Sequence, residues 1–175
     1  STLAALLKDK PKRGRPSHNV SRQNVYVALA KSQKKQMKQL AGLLAEEIGR
    51  ADIPDLSISV LSARLEALRR AVADRNREMP EGITDIESLY LLWDLPLPAT
   101  SETEPAWTSI RVSPQQVIEL GRVHGTLNAV FGANRSQTFS LAISLLEQLI
   151  EDHPLIQQYA TVEELRKYIM ELYAN

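Results

Sequence analysis

The apolar side chains of this chain first recur at every second position. Within residues 24–30 the large apolar residues are Val25, Val27 and Leu29, the spacing of a β-strand with one buried face. The opposite face of this predicted strand carries Asn24, Tyr26 and Ala28. A strand with one apolar and one polar face indicates a sheet that is covered on one side only.

Helical spacing follows the strand. It predicts an amphipathic helix over residues 32–48, with Gly49 just past its end, and a second helix that starts near Ser57, after Pro54 and Asp55. Residues 77–106 then form a connection with a short helix, for which Thr84 begins a capping box.

A second run with a period of two covers residues 107–112. Ile110 and Val112 are predicted to point inward, and Ser109 and Arg111 outward. Of the two tryptophans, we interpret Trp107 as a residue that packs or anchors the linker. Trp93, at the end of the short helix, is interpreted as part of the core or of a partner interface.

Two further amphipathic helices follow the second strand. Ser113 and Pro114 form a strong helix start, because Pro at the first helical position needs no N–H partner. Ser136 is predicted to cap the next helix, and Pro154 to end it. A capping box beginning at Thr161 predicts a last helix.

Strand, helix and helix thus occur twice, about 80 residues apart. A lone short strand cannot satisfy its backbone groups, but two such strands can pair antiparallel while four helices close a core beneath them. We therefore predict a mostly α fold of two strand–helix–helix units, folded together as an intrachain pseudo-dimer. The alternative is that each unit pairs with its counterpart in a second chain. The predicted segments are 1–22, 23–76, 77–106, 107–153 and 154–175.

The charges are sorted along the chain although the net charge is zero. Residues 1–50 hold 11 Lys and Arg against 3 Asp and Glu, whereas residues 81–106 hold 6 acidic residues and no basic one. Apart from a possible turn of helix at residues 2–8, Pro11, Gly14 and Pro16 oppose regular structure in the first 22 residues, so we predict a flexible basic arm that attracts a polyanion.

The stretch from Ser109 to Pro114, with the later run from Gly132 to Phe139, resembles the ribbon-helix-helix family of bacterial DNA-binding proteins. The resemblance is weaker over residues 24–76. It implies that the outward strand residues read base edges in the major groove and that helix N-termini hold phosphates. The implied base readers are Asn24, Tyr26, Ala28, Ser109 and Arg111.

The same resemblance implies phosphate contacts at Ser57, Arg135 and Ser136. Lys31 and Lys34 lie on a solvated helix face and would add phosphate attraction. In the arm, the run Lys12-Arg13-Gly14-Arg15-Pro16 resembles an AT-hook. This motif implies binding in the narrow minor groove of A·T-rich DNA, where glycine allows close approach and arginines meet a strongly negative channel.

Other classes of function find little support. The chain has no cysteine, its three histidines are scattered, and no phosphate-binding glycine loop or membrane-spanning apolar run is present. We expect no catalysis, cofactor or metal, and a cytoplasmic, nucleoid-associated protein. The predicted partner is double-stranded DNA and the predicted role a bacterial transcriptional repressor.

Two alternatives remain. One is a DNA-binding accessory of plasmid partition, transfer or mobile-element machinery, with a protein partner at residues 81–106 or the last helix. The other is a helical interaction subunit that its basic arm tethers to nucleic acid. Homo-oligomers are compatible with each alternative.

Overall fold

The computed structural model describes residues 21–74, 82–98 and 105–174. Within them the chain is mostly helical, with six α-helices and one sheet of two antiparallel strands. The elements are β1 (Gln23–Leu29), α1 (Lys31–Gly42), α2 (Ile53–Asp74), α3 (Ile86–Leu92), β2 (Ala106–Val112), α4 (Pro114–Phe131), α5 (Arg135–Asp152) and α6 (Val162–Leu172). Short 3₁₀ turns at Arg50–Asp52 and Pro154–Gln158 precede α2 and follow α5.

The two strands predicted from the period-of-two pattern pair with each other as one antiparallel ribbon. Tyr26 lies opposite Ser109, and each strand extends three residues to either side of this pair. The N-caps of the following helices, Ala30 and Ser113, each come four residues after it. The ribbon is therefore symmetric about the Tyr26–Ser109 pair in both strand length and helix start.

The inner face of the ribbon covers the hydrophobic core. Its apolar residues are almost fully buried: Val25, Val27, Leu29, Ile110 and Val112. Burying each such side chain contributes about 1.5–3 kcal/mol relative to leaving it exposed. This burial holds one face of the ribbon against the core. Because side chains alternate along each strand, the other residues then face solvent.

Helices α2 and α5 form the centre of the core beneath the ribbon and make the most extensive helix–helix contact in the described residues. The contacts also cross between the two halves. Helix α2 packs on α4 and on β2, while α5 packs on α1 and on β1. The second helix of each half thus lies against the strand of the other half, which locks the halves together.

Several predicted helix boundaries are wrong. Helix α1 ends at Gly42 instead of residue 48, because glycine weakens its last turn and Ile48 is buried from a turn that follows. Helix α2 begins at Ile53 instead of Ser57. Pro54 does not delay it, since the first turn of a helix needs no N–H at that position.

Two predicted caps are also corrected. The side chain that caps α3 is Asp85 instead of Thr84, and it accepts a hydrogen bond from the N–H of Ser88. Helix α5 is capped by Asn134 instead of Ser136, with the N–H of Gln137 as donor. Ser136 therefore lies in the first turn of α5, where its hydroxyl can bond elsewhere. Thr161 caps α6 as predicted, because its hydroxyl accepts from the N–H of Glu164. The reciprocal bond of a capping box is not formed, since the Glu164 carboxylate accepts from the N–H of Ala160 instead of that of Thr161.

One arginine of α2 contacts both elements that lie outside the repeat. The Arg64 guanidinium lies over the Trp93 ring on one side and over the Tyr173 ring on the other, 5.2 and 5.1 Å from the ring centroids. Trp93 itself is buried, so its predicted place in the core is confirmed. Cation–π contacts of this kind hold the end of α3 and the end of α6 against the same helix.

Candidate nucleic-acid interface

The outer face of the ribbon presents three side chains from each strand. In β1, Asn24 and Tyr26 are exposed and Ala28 is half-buried. In β2, Ser109 and Arg111 are exposed, and so is Trp107. All five predicted base readers therefore lie together on one face, as the period of two requires.

The register sorts these side chains into a polar end and an apolar end. Asn24 lies directly opposite Arg111 at one end, and Ala28 lies opposite Trp107 at the other. The Trp107 side chain is 70% exposed and that of Tyr26, at the centre, is 56% exposed. At one end the amide of Asn24 can donate and accept hydrogen bonds and the guanidinium of Arg111 can donate them, whereas the indole and methyl groups at the other end favour apolar contacts.

The free edge of β1 is held by the first turn of α5. Arg135 donates two hydrogen bonds to the carbonyl oxygen of Tyr26, at 3.1 and 2.6 Å. The hydroxyl of Ser136 accepts a hydrogen bond of 2.8 Å from the N–H of Ala28. Arg135 and Ser136, two of the predicted phosphate contacts, thus lie beside the ribbon. Their side chains bind the strand, and Arg135 remains exposed.

The backbone at the start of α5 offers donors at the same place. Asn134 and Gln137 bond reciprocally, each side chain to the other residue's N–H, which satisfies the amide of Gln137. The amides of Arg135 and Ser136 have no hydrogen-bond partner among the described residues. Free amides at a helix N-terminus, with the positive end of the helix dipole, suit an anion.

A groove of about 850 Å³ runs along the other flank, beside β2. Its lining includes three cationic side chains, Lys34 from α1, Arg50 from the 3₁₀ turn, and Arg111 from the ribbon. Arg50 is exposed and Lys34 is half-buried. Both flanks of the ribbon therefore present cations or free N–H donors.

The predicted phosphate contact at Ser57 is wrong. Because α2 begins at Ile53, Ser57 lies inside the helix, and its side chain is fully buried with its hydroxyl unpaired. The N-terminus of α2 instead carries two acidic side chains. Asp52 pairs with Arg22, and Asp55 accepts a hydrogen bond from the N–H of Ser113.

The lysines of α1 are mostly in solvent. Lys31, Lys35 and Lys38 are exposed, and within the described part of the chain none of them, nor Lys34, forms a salt bridge with a carboxylate. This agrees with the predicted solvated face, and it leaves their charges available to a polyanion.

Two residues of this surface were not predicted. Trp107 was interpreted as a packing residue, yet it is exposed on the outer face, and the period of two already places it in line with Ser109 and Arg111. Arg50 follows Gly49 in a connection that the sequence predicts only as a helix end. Its position in the groove depends on the 3₁₀ turn, which the spacing of apolar residues does not predict.

The predicted arm lies outside the described residues, apart from its last two. The AT-hook-like run Lys12-Arg13-Gly14-Arg15-Pro16 is among the residues that are not described. Arg22, the end of the predicted arm, is not free. It pairs with Asp52 and donates to the carbonyl oxygen of Ala51, and its side chain is only 10% exposed. This anchor, near the start of the described residues, lies beside the groove on the β2 flank.

In the described residues, no three His, Asp or Glu side chains come close enough to hold a metal ion, and no helix is long and apolar enough to cross a membrane. Comparison of the chain with family models, curated proteins and solved structures found no match. The function therefore has to be inferred from the geometry of the chain's own residues.

Proposed function

We propose that this chain binds double-stranded DNA sequence-specifically, without catalysis, by placing the outer face of the β1–β2 ribbon in the major groove. The observation that carries the proposal is the Asn24–Arg111 pair, exposed on a two-stranded ribbon whose other face is the core. The major groove of B-DNA is wide enough for a two-stranded ribbon, and it presents a distinct pattern of donors and acceptors for each base pair.

The exposed side chains suit base edges. The guanidinium of Arg111 can donate two hydrogen bonds to O6 and N7 of a guanine, and the amide of Asn24 can pair with N6 and N7 of an adenine. Tyr26 and Ser109 supply hydroxyls at the centre, and Ala28 supplies a methyl contact for thymine. A good bidentate pair discriminates by about 1–3 kcal/mol against the wrong base.

The flanks of the ribbon suit the two phosphate backbones that border the groove. On the β1 side, the free amides of Arg135 and Ser136 form the anion site, and the Arg135 side chain keeps β1 in place. On the β2 side, Lys34 and Arg50 line the groove. Contacts of this type fix the position of the protein, and base contacts then provide the specificity.

The symmetry about Tyr26 and Ser109 supports two ribbon-helix-helix units joined in one chain as a pseudo-dimer. Each strand and the helix after it begin at matching distances from this pair. The crossed packing of α2 and α5 is the arrangement that two intertwined units need. On this basis the role is that of a bacterial transcriptional repressor in the cytoplasm, with residues 1–20 reaching an adjacent minor groove.

Selection of bound duplexes from a random pool tests the proposal. We expect a preferred site in which methylation of guanine N7, a major-groove atom, interferes with binding of the parent protein. In Arg111→Ala this interference should disappear at one guanine. Failure to enrich any duplex, or binding indifferent to N7 methylation, would contradict ribbon reading.

A second candidate is a DNA-binding accessory of plasmid or mobile-element machinery that also holds a protein partner. It is favoured by the segment around α3, where Leu91 and Leu97 are 66% and 55% exposed beside the exposed acidic residues Glu87 and Asp94. The third interpretation is a helical interaction subunit that its basic arm tethers to nucleic acid. Removing residues 1–20 separates it from the others, because only a tethered subunit loses all DNA binding with its arm.

A further inference from the structure

The two halves of the ribbon carry different chemistry at matching positions. Symmetry about the central pair makes Asn24 in β1 equivalent to Trp107 in β2, and Ala28 equivalent to Arg111. At the centre, Tyr26 is equivalent to Ser109. None of the three pairs is conservative, and pairing across the ribbon brings both hydrogen-bonding residues to the same end.

We infer that the chain recognises a non-palindromic DNA site and binds it in a single orientation. The inference rests on the proposed function and specifies its ligand. Two identical halves would read the same bases from either side, and their site would repeat as a palindrome. Here one end of the ribbon reads guanine and adenine by hydrogen bonds, while the other end makes apolar contacts with thymine methyl groups.

The two flanks of the ribbon also differ from each other, in the groups that they offer to phosphates. On the β1 side the start of α5 has free amides at Arg135 and Ser136. On the β2 side the start of α2 already holds the buried carboxylates of Asp52 and Asp55, so this helix N-terminus does not offer a phosphate the site that α5 offers. The DNA backbone on that side would instead meet Lys34 and Arg50 of the groove, whose lining also includes the acidic residues Glu47 and Asp52. Turning the DNA around would therefore change the phosphate contacts as well as the base contacts.

The length of the ribbon sets the spacing between the two kinds of contact. Residues 24 and 28 are four positions apart, which corresponds to about 13 Å along a strand. One strand of B-DNA rises about 3.4 Å per base, so this distance spans about four base pairs. Base pairs sensitive to Arg111 and Asn24 should lie about four positions from those sensitive to Trp107.

Directed cleavage tests the orientation, and the absence of cysteine from the chain makes it straightforward. Ser32→Cys places a single thiol at the start of α1, beside the Ala28–Trp107 end, and Gln115→Cys places one at the start of α4, beside the Asn24–Arg111 end. Both positions are exposed. An iron chelate on each thiol then cuts nearby DNA, and Ala129→Cys, far along α4, is the matched control without focused cuts.

In a single orientation, the Ser32→Cys conjugate should cut one side of the selected site and the Gln115→Cys conjugate the other. Equal cutting on both sides by each conjugate, or a selected site that is a palindrome, overturns the inference and leaves ribbon binding intact. Absence of any selected site or focused cut overturns the inference together with the proposed function.

Base substitutions in the selected site give a second readout. Arg111→Ala should relax preference at one end of the site and Trp107→Ala at the other, about four base pairs away. If both variants relax the preference at the same base pairs, or at positions related by a two-fold axis, the two ends of the ribbon do not read different bases and the inference is wrong.

Discussion

The hydroxyl of Ser136 accepts a hydrogen bond of 2.8 Å from the backbone N–H of Ala28, across 108 positions of sequence. This bond satisfies a backbone N–H on the edge of β1 that faces away from β2. An exposed strand edge is a site where other chains can add, so a side chain that occupies it protects the ribbon. The same bond fixes the first turn of α5 beside the outer face of the ribbon.

Ser136→Ala should lower the free energy of unfolding by about 1 kcal/mol, because the partly buried N–H of Ala28 loses its acceptor. Urea denaturation measures the change. Ser32→Ala, at an exposed position in the first turn of α1, is the control and should stay within about 0.5 kcal/mol of the parent. Equal midpoints for Ser136→Ala and the parent would show that this bond does not stabilise the fold.

The thermal midpoint should not depend on protein concentration. Both strands of the ribbon belong to one chain, so folding does not require association, whereas the midpoint of an obligate dimer rises with concentration. Thermal unfolding followed by circular dichroism over a hundredfold range of concentration measures this. A rising midpoint would favour the alternative in which the strands pair between two chains.

Arg111→Ala should weaken binding to the selected site by about 1–3 kcal/mol while binding to random duplex changes less. The loss follows from removal of a bidentate contact to one base. Arg69→Ala is the matched control, since Arg69 is an exposed arginine about 24 Å further along α2 from the ribbon end of that helix. Titration of labelled duplexes measures both. Equal losses of affinity for the two variants would show that Arg111 contributes only its positive charge and reads no base.

Replacing Arg13 and Arg15 by alanine should weaken binding mainly on sites with A·T-rich flanks and flatten its dependence on salt, because fewer counterions are released. Affinity measured over a range of salt concentrations gives the slope. Truncation should stop at residue 20, because Arg22 anchors the fold through Asp52. An unchanged slope would show that the arm touches neither phosphates nor the groove.

Stability at low pH should depend on Glu119. The hydroxyl of Ser62 donates to its carboxylate at 2.7 Å, and this bond, with the Arg122 guanidinium, holds the pKa of Glu119 below its usual value of 4.5. Since the folded state lowers the pKa, the stabilisation is complete above the unfolded value and is lost as the pH falls through the folded one.

Glu119→Gln should therefore cost about 0.5 kcal/mol at pH 7, a small value because the pair is partly exposed, and should reduce the loss of stability between about pH 5 and pH 3. Urea midpoints across this range test it. Glu46→Gln, at an exposed position, is the control. An unchanged pH profile in Glu119→Gln would assign the acid sensitivity to other groups.

Local signals in the sequence correctly indicated both strands, and they failed mainly where several residues could begin a helix. Ser113 with Pro114 marks the start of α4 correctly. Near α5, both Asn134 and Ser136 are able caps, and only the path of the chain assigns the cap to Asn134 and frees Ser136 for Ala28. The sequence predicts that Pro54 precedes a helix, yet Pro54 lies in the first turn of α2, and Ser57 is therefore buried inside the helix instead of exposed at its start.

The alternation of apolar and polar residues by itself determined which faces of the two strands are buried, because successive side chains of a strand point to opposite sides. That Asn24 meets Arg111, that α5 closes the edge of β1, and that Arg50 lines a groove beside β2 were decided only by the tertiary structure. These relations join residues far apart in sequence, whose distances depend on how the helices pack beneath the ribbon, and no local pattern contains that information.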